Sequence, residues 1–122
     1  MIVGIGIDIV VIARFAGMME RRPSMVERLF TERESRLPSG DLRGPASLAA
    51  RFAAKEAIAK ALGAPAGMAW HDCEILVDES GRPHVETQGT VASVAERLGI
   101  ERWHLSLTHD GDNAVAQAIG EA

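Results

Sequence analysis

One cysteine, Cys73, stands in 122 residues, which excludes an internal disulfide and any cysteine-rich zinc site. No apolar run approaches the roughly 18 residues of a membrane span. The first residues lack the basic n-region of a secretory signal. Aromatic residues make up 4% and the net charge is −4, a poor match to the basic, aromatic-studded surface of a nucleic-acid binder. No internal repeat or low-complexity segment is present. These shortages point to a cytoplasmic protein with no nucleic-acid or membrane partner. What is there, 47% hydrophobic and 25% charged residues, is the composition of one globular domain over residues 1–122.

Charge is divided unevenly along the chain. Residues 1–60 hold ten Lys/Arg against seven Asp/Glu, and residues 61–122 hold three against ten. A basic half on an acidic protein suits an anionic partner, although solvated helix faces give the same count.

Residues 2–10 are rich in Ile and Val and alternate, which predicts a strand. Residues 11–36 have helical spacing, interrupted at Pro23. Within them, "TERE" at 31–34 has the form of a capping box with Thr31 as N-cap and Glu34 reaching back. "LPSGDLRGP" at 37–45 is a loop by composition. The alanine-rich stretch 46–62, "ASLAARFAAKEAIAKAL", is the strongest helix signal, with Pro45 suited to its first turn. "GAPAG" at 63–67 ends it. Residues 73–78 and 84–87 read as strands around the turn "ESGRP", and 90–98 as a helix stopped by Gly99. The C-terminus reads as two strands joined by "DGDN", a hairpin signal. The order predicts an α+β domain.

Three polar intrusions stand out. In "GIGIDIV" the alternation of a strand puts Val3, Ile5, Ile7 and Ile9 on one face, expected to be the core face. Gly4, Gly6 and Asp8 share the other. Glycines inside a strand mark the close approach of a ligand or of another backbone, and a trough beside an acid suits a metal with an anionic ligand. The bland alternative for Asp8 is a cap on the next helix. A dinucleotide fingerprint is excluded because the third glycine is missing and the glycines lie within the strand.

In the long helix, about 100° per residue places Leu48, Phe52, Ala59 and Leu62 on one stripe, with Lys55 in its middle and Glu56 at its edge. Lys60 follows Glu56 by one turn. The pair Glu56–Lys60 is either a solvent-facing i,i+4 contact or a metal ligand beside a phosphate grip, and Lys55 either snorkels or grips phosphate as well. In "SLTHDGD", His109 ends the apolar face Trp103–Leu105–Leu107, next to Asp110. The four histidines lack paired zinc spacing. Two carboxylates without cysteine suit magnesium, and the set of acids, lysines and a histidine points to phosphoryl chemistry.

"GIGIDIV", "RFAAKEAIAKAL" and "LSLTHDGDNAVAQAI" together resemble the holo-acyl-carrier-protein synthases, the small bacterial class of 4′-phosphopantetheinyl transferases. The likeness extends over nearly the whole chain. It implies an antiparallel sheet packed on one long helix and several short ones. It also implies Mg2+-dependent transfer of the phosphopantetheine arm of coenzyme A to a serine of apo acyl carrier protein. By the resemblance, Asp8 and Glu56 are the magnesium ligands, Lys60 lies near the diphosphate, and His109 belongs to the site. Arg51 and Lys55 are candidates for the nucleotide's phosphates. The serine proton is left to Glu56, Asp110, Lys60 or a metal-bound water. Arg14, Arg21, Arg22 and Arg28 are the candidate carrier-docking residues. A homotrimer with active sites between subunits is implied too. "GAPAG" replaces the Gly-Thr-Gly of many members, so the nucleotide loop differs here. Two rival functions share parts of this pattern: a non-catalytic coenzyme A or carrier-protein binding module, and a magnesium-dependent pyrophosphate hydrolase.

Overall fold

The structure is a computed structural model and describes residues 1–122. Strand β1 (Ile2–Val11) leads into three short helices, α1 (Ile12–Arg21), α2 (Ser24–Leu29) and α3 (Glu32–Ser35). The long helix α4 (Pro45–Ala61) follows, then a single 3-10 turn over Trp70–Asp72. Strands β2 (Cys73–Val77) and β3 (Pro83–Thr87), helix α5 (Gly89–Leu98), and strands β4 (Arg102–Asp110) and β5 (Asn113–Glu121) complete the chain. No helix is long and apolar enough to cross a membrane.

Five strands form two antiparallel sheets, one ordered β1-β5-β4 and the other the β2-β3 hairpin. The β4–β5 turn places Gly111 at φ 56°. A glycine with positive φ at the first central position is what a two-residue hairpin of type II′ requires. The turn also anchors the next layer, because Ile12 N–H donates to the Asp112 carbonyl at 2.8 Å. That bond starts α1 directly at the end of β1.

Helix α4 is the hub. It begins with Pro45 in its first turn, where the missing N–H is not needed. One apolar cluster joins Ala53, Ala54, Ala57 and Ile58 to Ile75, Val91, Ala116 and Ala118. A second joins Leu48, Ala49 and Ala50 to Phe15, Val26, Leu29 and Phe30. Alanines on α4 meet alanines on β5, so helix and sheet lie close.

That closeness reverses the expected faces of β1. A Cβ on Gly6 would stand 1.7 Å from the Ala57 carbonyl oxygen, and one on Gly4 would stand 2.1 Å from that of Ala61. Only glycine admits α4 at this distance, so the glycines face the core. Ile5, Ile7 and Ile9 point outward at 56%, 54% and 63% exposure. The backbone that the glycines admit is therefore a helix and not a ligand. Asp8 does not cap α1 either, since the residue at the N-cap is Val11.

Candidate active site

Asp8 lies on the glycine face of β1, two residues beyond Gly6, and so points toward α4. Lys60, in the last turn of α4, reaches back to it: Nζ donates to Asp8 Oδ1 at 2.9 Å and to the Ile7 carbonyl at 2.9 Å. Lys60 thus pairs with the strand and not with Glu56. Glu56 sits one turn earlier, half-buried. Burial holds its carboxyl above the usual carboxylate range, the Asp8 charge raises it further, and Lys60 partly offsets both.

Beside these groups is a cavity of about 580 Å³ whose polar lining is Asp8, Arg14 and Glu56. Its other walls are apolar, among them Phe15, Met18, Met25, Phe52 and Trp70. The rings of Phe15 and Phe52 lie 5.6 Å apart between centroids, as do those of Phe52 and Trp70. A chain of packed aromatics therefore runs from α1 through α4 to the 3-10 turn. Trp70 and the two methionines carried no site signal in the sequence; only the helical spacing of Met18 on α1 and Met25 on α2 pointed to packing.

The structure brings together Asp8, Glu56, Lys60 and Arg14. It leaves the remaining candidates elsewhere. Lys55 is fully buried and bonds Glu34 Oε1 at 2.9 Å, the Trp70 carbonyl at 2.8 Å, and the Cys73 carbonyl. Its three ammonium protons are all used, which corrects the expectation that it snorkels or grips phosphate. The buried carboxylate it pairs with is the capping-box Glu34, whose Oε1 also accepts the Thr31 N–H at 2.9 Å. A lysine in mid-stripe required such a partner, but spacing alone did not say which acid.

Arg51 is 5% exposed. Its Nη1 donates to Ser47 Oγ at 2.7 Å, while its Nε is buried with no partner. Burial, with Arg43 nearby, pulls this guanidinium down to about 10. His109 pairs across the sheet with Ala114, which pairs in turn with Val10. His109 is therefore on the strand at the far edge, two strand spacings or about 10 Å from β1. Asp110 follows it into the hairpin turn. Neither residue lines the cavity. Arg21, Arg22 and Arg28 are exposed on α1, α2 and the joint between them, next to Arg14 in the chain.

No group of three or more His, Cys, Asp or Glu side chains could hold a metal ion. Two carboxylates with a lysine against one of them form a different donor set. The two carboxylates supply hard oxygens and leave most of a cation's coordination sphere to water and ligand oxygens, while the Lys60 ammonium on Asp8 Oδ1 offsets part of their charge. That set fits magnesium.

The site thus sets two acids and a lysine beside an apolar cavity on an α+β frame. The chain belongs to the 4′-phosphopantetheinyl transferase superfamily, whose family model matches residues 4–118. It is 57% identical over 121 residues to the holo-[acyl-carrier-protein] synthase of Salinispora arenicola, covering 99% of each chain. Among solved structures it resembles the holo-[acyl-carrier-protein] synthase of Neisseria meningitidis, with a TM-score of 0.88, 30% identity and 100% of both chains covered. It also resembles the holo-(acyl-carrier-protein) synthase of Bacillus anthracis in complex with CoA, with a TM-score of 0.80, 36% identity, and 100% and 98% coverage.

Proposed function

We propose that this chain transfers the 4′-phosphopantetheine arm of coenzyme A to a serine of apo acyl carrier protein, releasing adenosine 3′,5′-bisphosphate. The serine oxygen forms a bond to the phosphorus that carries the arm, and the bond from that phosphorus to the bridging diphosphate oxygen breaks. The observation that carries the reading is the Asp8–Lys60 contact with Glu56 beside it, next to an apolar cavity, in a member of this superfamily.

Asp8 and Glu56 would hold the magnesium ion. Bound there, it would offset charge on the diphosphate. Lys60 adds a fixed positive charge on the same side, and the Ile7 carbonyl that it bonds keeps its ammonium from swinging into solvent. The apolar walls exclude water from the pantetheine arm, which favours transfer to the carrier over hydrolysis. Of the four candidate proton acceptors, Glu56 lies at the site, Lys60 lies there as an ammonium that has no lone pair to accept with, and Asp110 stands apart from it within one subunit.

A homotrimer with active sites between subunits accounts for two further observations. Ile5, Ile7 and Ile9 form an outward apolar row on β1, continued by the half-buried Val115 and Ile119 of β5. Contiguous apolar faces of this kind mark contact with another chain. His109 and Asp110 stay away from Asp8 within one subunit, and a second copy would supply them to its neighbour's site, whereas Arg51 is buried in its own subunit. The whole of residues 1–122 acts as one transferase domain, because both apolar clusters share α4. A cytoplasmic setting fits the lone buried thiol, Cys73, which burial pushes up to about 12.

Incubation with coenzyme A, Mg2+ and an apo carrier protein tests the reaction by intact mass. The carrier is expected to gain one phosphopantetheine. Adenosine bisphosphate released with no gain on the carrier would mean a hydrolase. Binding with neither product would mean a binding module.

A further inference from the structure

Lys55 and Glu34 are both fully buried. Besides the three acceptors of the Lys55 ammonium, Glu34 accepts two backbone donors: Thr31 N–H on Oε1 and Ile75 N–H on Oε2, each at 2.9 Å. One ion pair therefore ties together α3, α4, the 3-10 turn and β2, with no polar atom of either side chain left unbonded. The face of the Phe30 ring lies 5.6 Å from the ammonium. A pair of apolar residues of similar volume would spare the desolvation of two charges. It would leave the Thr31 and Ile75 N–H groups and the Trp70 and Cys73 carbonyls without these partners, and each buried group left unpaired is destabilising. The pair therefore contributes stability by satisfying buried backbone. It also adds direction, since each of its bonds fixes an angle as well as a distance.

Two of those directions lead to the site. Lys55 immediately precedes Glu56, so clamping its side chain fixes the rotation of α4 that aims Glu56. The same ammonium holds the Trp70 carbonyl, and Trp70 packs on Phe52, one turn before Glu56, as part of the cavity wall. Glu56 stands beside the like charge of Asp8, which pushes it away. Lys55 leaves the helix about 100° round from Glu56, so the clamp and the acid occupy different faces of α4.

We propose that the buried Lys55–Glu34 pair is a positioning device that holds Glu56 and the Trp70 wall in the geometry required for the divalent cation and the pantetheine arm. The inference rests on the two-carboxylate reading given above. Neither residue touches substrate; both act through α4 and the 3-10 turn.

The double variant Glu34→Leu/Lys55→Met replaces the pair by apolar groups, and Glu34→Gln keeps its shape while removing one charge. Mn2+ binding to each, read by electron paramagnetic resonance without substrate, is compared with that of the unaltered protein, alongside thermal unfolding. The double variant is expected to unfold below the parent midpoint, because four backbone groups lose their partners, and to remain folded at the assay temperature. Both variants are expected to bind Mn2+ about 10- to 100-fold more weakly, the usual loss when an outer-shell group is removed. Transfer rates at saturating coenzyme A should fall, and its KM should rise as the Trp70 wall is displaced. Parent-like Mn2+ affinity in a folded variant overturns the inference, and so does failure of both variants to fold, which would assign the pair to stability. An unaltered protein that binds no Mn2+ overturns the two-carboxylate reading and this inference with it.

Discussion

Lys60 Nζ stands 2.9 Å from Asp8 Oδ1 and 2.9 Å from the Ile7 carbonyl, so the last turn of α4 is fastened to β1 at Asp8. The contact is half-exposed on the lysine side and mostly covered on the aspartate side. As an ion pair at the surface it adds about 0–1 kcal/mol to stability. Its value lies in placing a cation beside Asp8. Lys60→Met is therefore expected to fold normally and to lose about 10²–10³-fold in kcat, the range for removing one group that stabilises developing charge. Steady-state transfer assays with circular dichroism check both halves. Full activity in the folded variant would remove Lys60 from the mechanism.

Glu56 carries the opposite sign of effect on stability. Its carboxyl is held above the ordinary value of about 4.3, first by burial and then by Asp8. The folded state therefore binds this proton more tightly than the unfolded one. The group's contribution to stability declines as pH rises from the ordinary carboxylate value through the raised one. Glu56→Gln is expected to raise the thermal midpoint relative to the parent more at pH 7 than at pH 4, while abolishing transfer. Mg2+ binding to the parent should strengthen with pH over the same window, because the ion competes with the proton. A midpoint difference that is the same at both pH values would contradict the assignment.

Gly6 is the tightest point between the sheet and α4. An added methyl group would lie 1.7 Å from the Ala57 carbonyl oxygen and 2.9 Å from the Ala61 nitrogen, and backbone atoms in mid-helix cannot step aside. Overpacking in a core costs about 1–3 kcal/mol and more where nothing yields. Gly6→Ala is expected at or beyond the upper end of that range in urea unfolding. It should also lose transfer activity, because pushing β1 off α4 parts Asp8 from Lys60. A loss below about 1 kcal/mol would mean that the two elements can separate without strain.

Element identities were legible because the local signals agreed. Pro23 broke the first helical run, Pro45 and Gly99 bounded two helices, and "DGDN" marked the hairpin. The faces of β1 were not legible. Alternation gives two sets of residues but does not say which set is inside, and hydrophobicity chose the isoleucines. The deciding fact is the alanine-rich surface of α4, whose close approach only glycine permits, and that depends on contact between segments some fifty residues apart. Asp8, Glu56 and Lys60 were readable from motif and helix period. Lys55 was visible as a misfit in an apolar stripe, but its partner Glu34 was spoken for locally by the capping box. Arg51, His109 and Asp110 carry a signal that one subunit does not bring to the cavity.

The outward isoleucines make the assembly testable. Ile7 is 54% exposed on a flat strand face, so Ile7→Asp leaves the core untouched and should change monomer stability by no more than about 0.5 kcal/mol. A charge in the middle of a buried sheet face between copies would not be tolerated. The parent is expected to run as a trimer in light scattering, and the variant as a monomer that loses transfer activity together with assembly. A parent that is itself monomeric and active would rule out sites shared between subunits.

The basic residues of α1 and α2 set the last expectation. Arg21, Arg22 and Arg28 are exposed, and Arg14 on the same helix as Arg21 lines the cavity with Asp8 and Glu56, so the path from this surface to the site is short. An acidic carrier approaching along it would bring its serine to the open side of the cavity. Arg21→Glu/Arg22→Glu alters only the approach. Complementary charge acts mainly on encounter, with rate gains of 10-fold or more at low salt. The variant is expected to raise the KM for carrier protein about 10-fold at low ionic strength while leaving kcat and the KM for coenzyme A unchanged. The difference should shrink as salt shortens the screening length from about 10 Å at 0.1 M to about 3 Å at 1 M. A KM for carrier that stays constant across variant and salt would move the docking surface away from these helices.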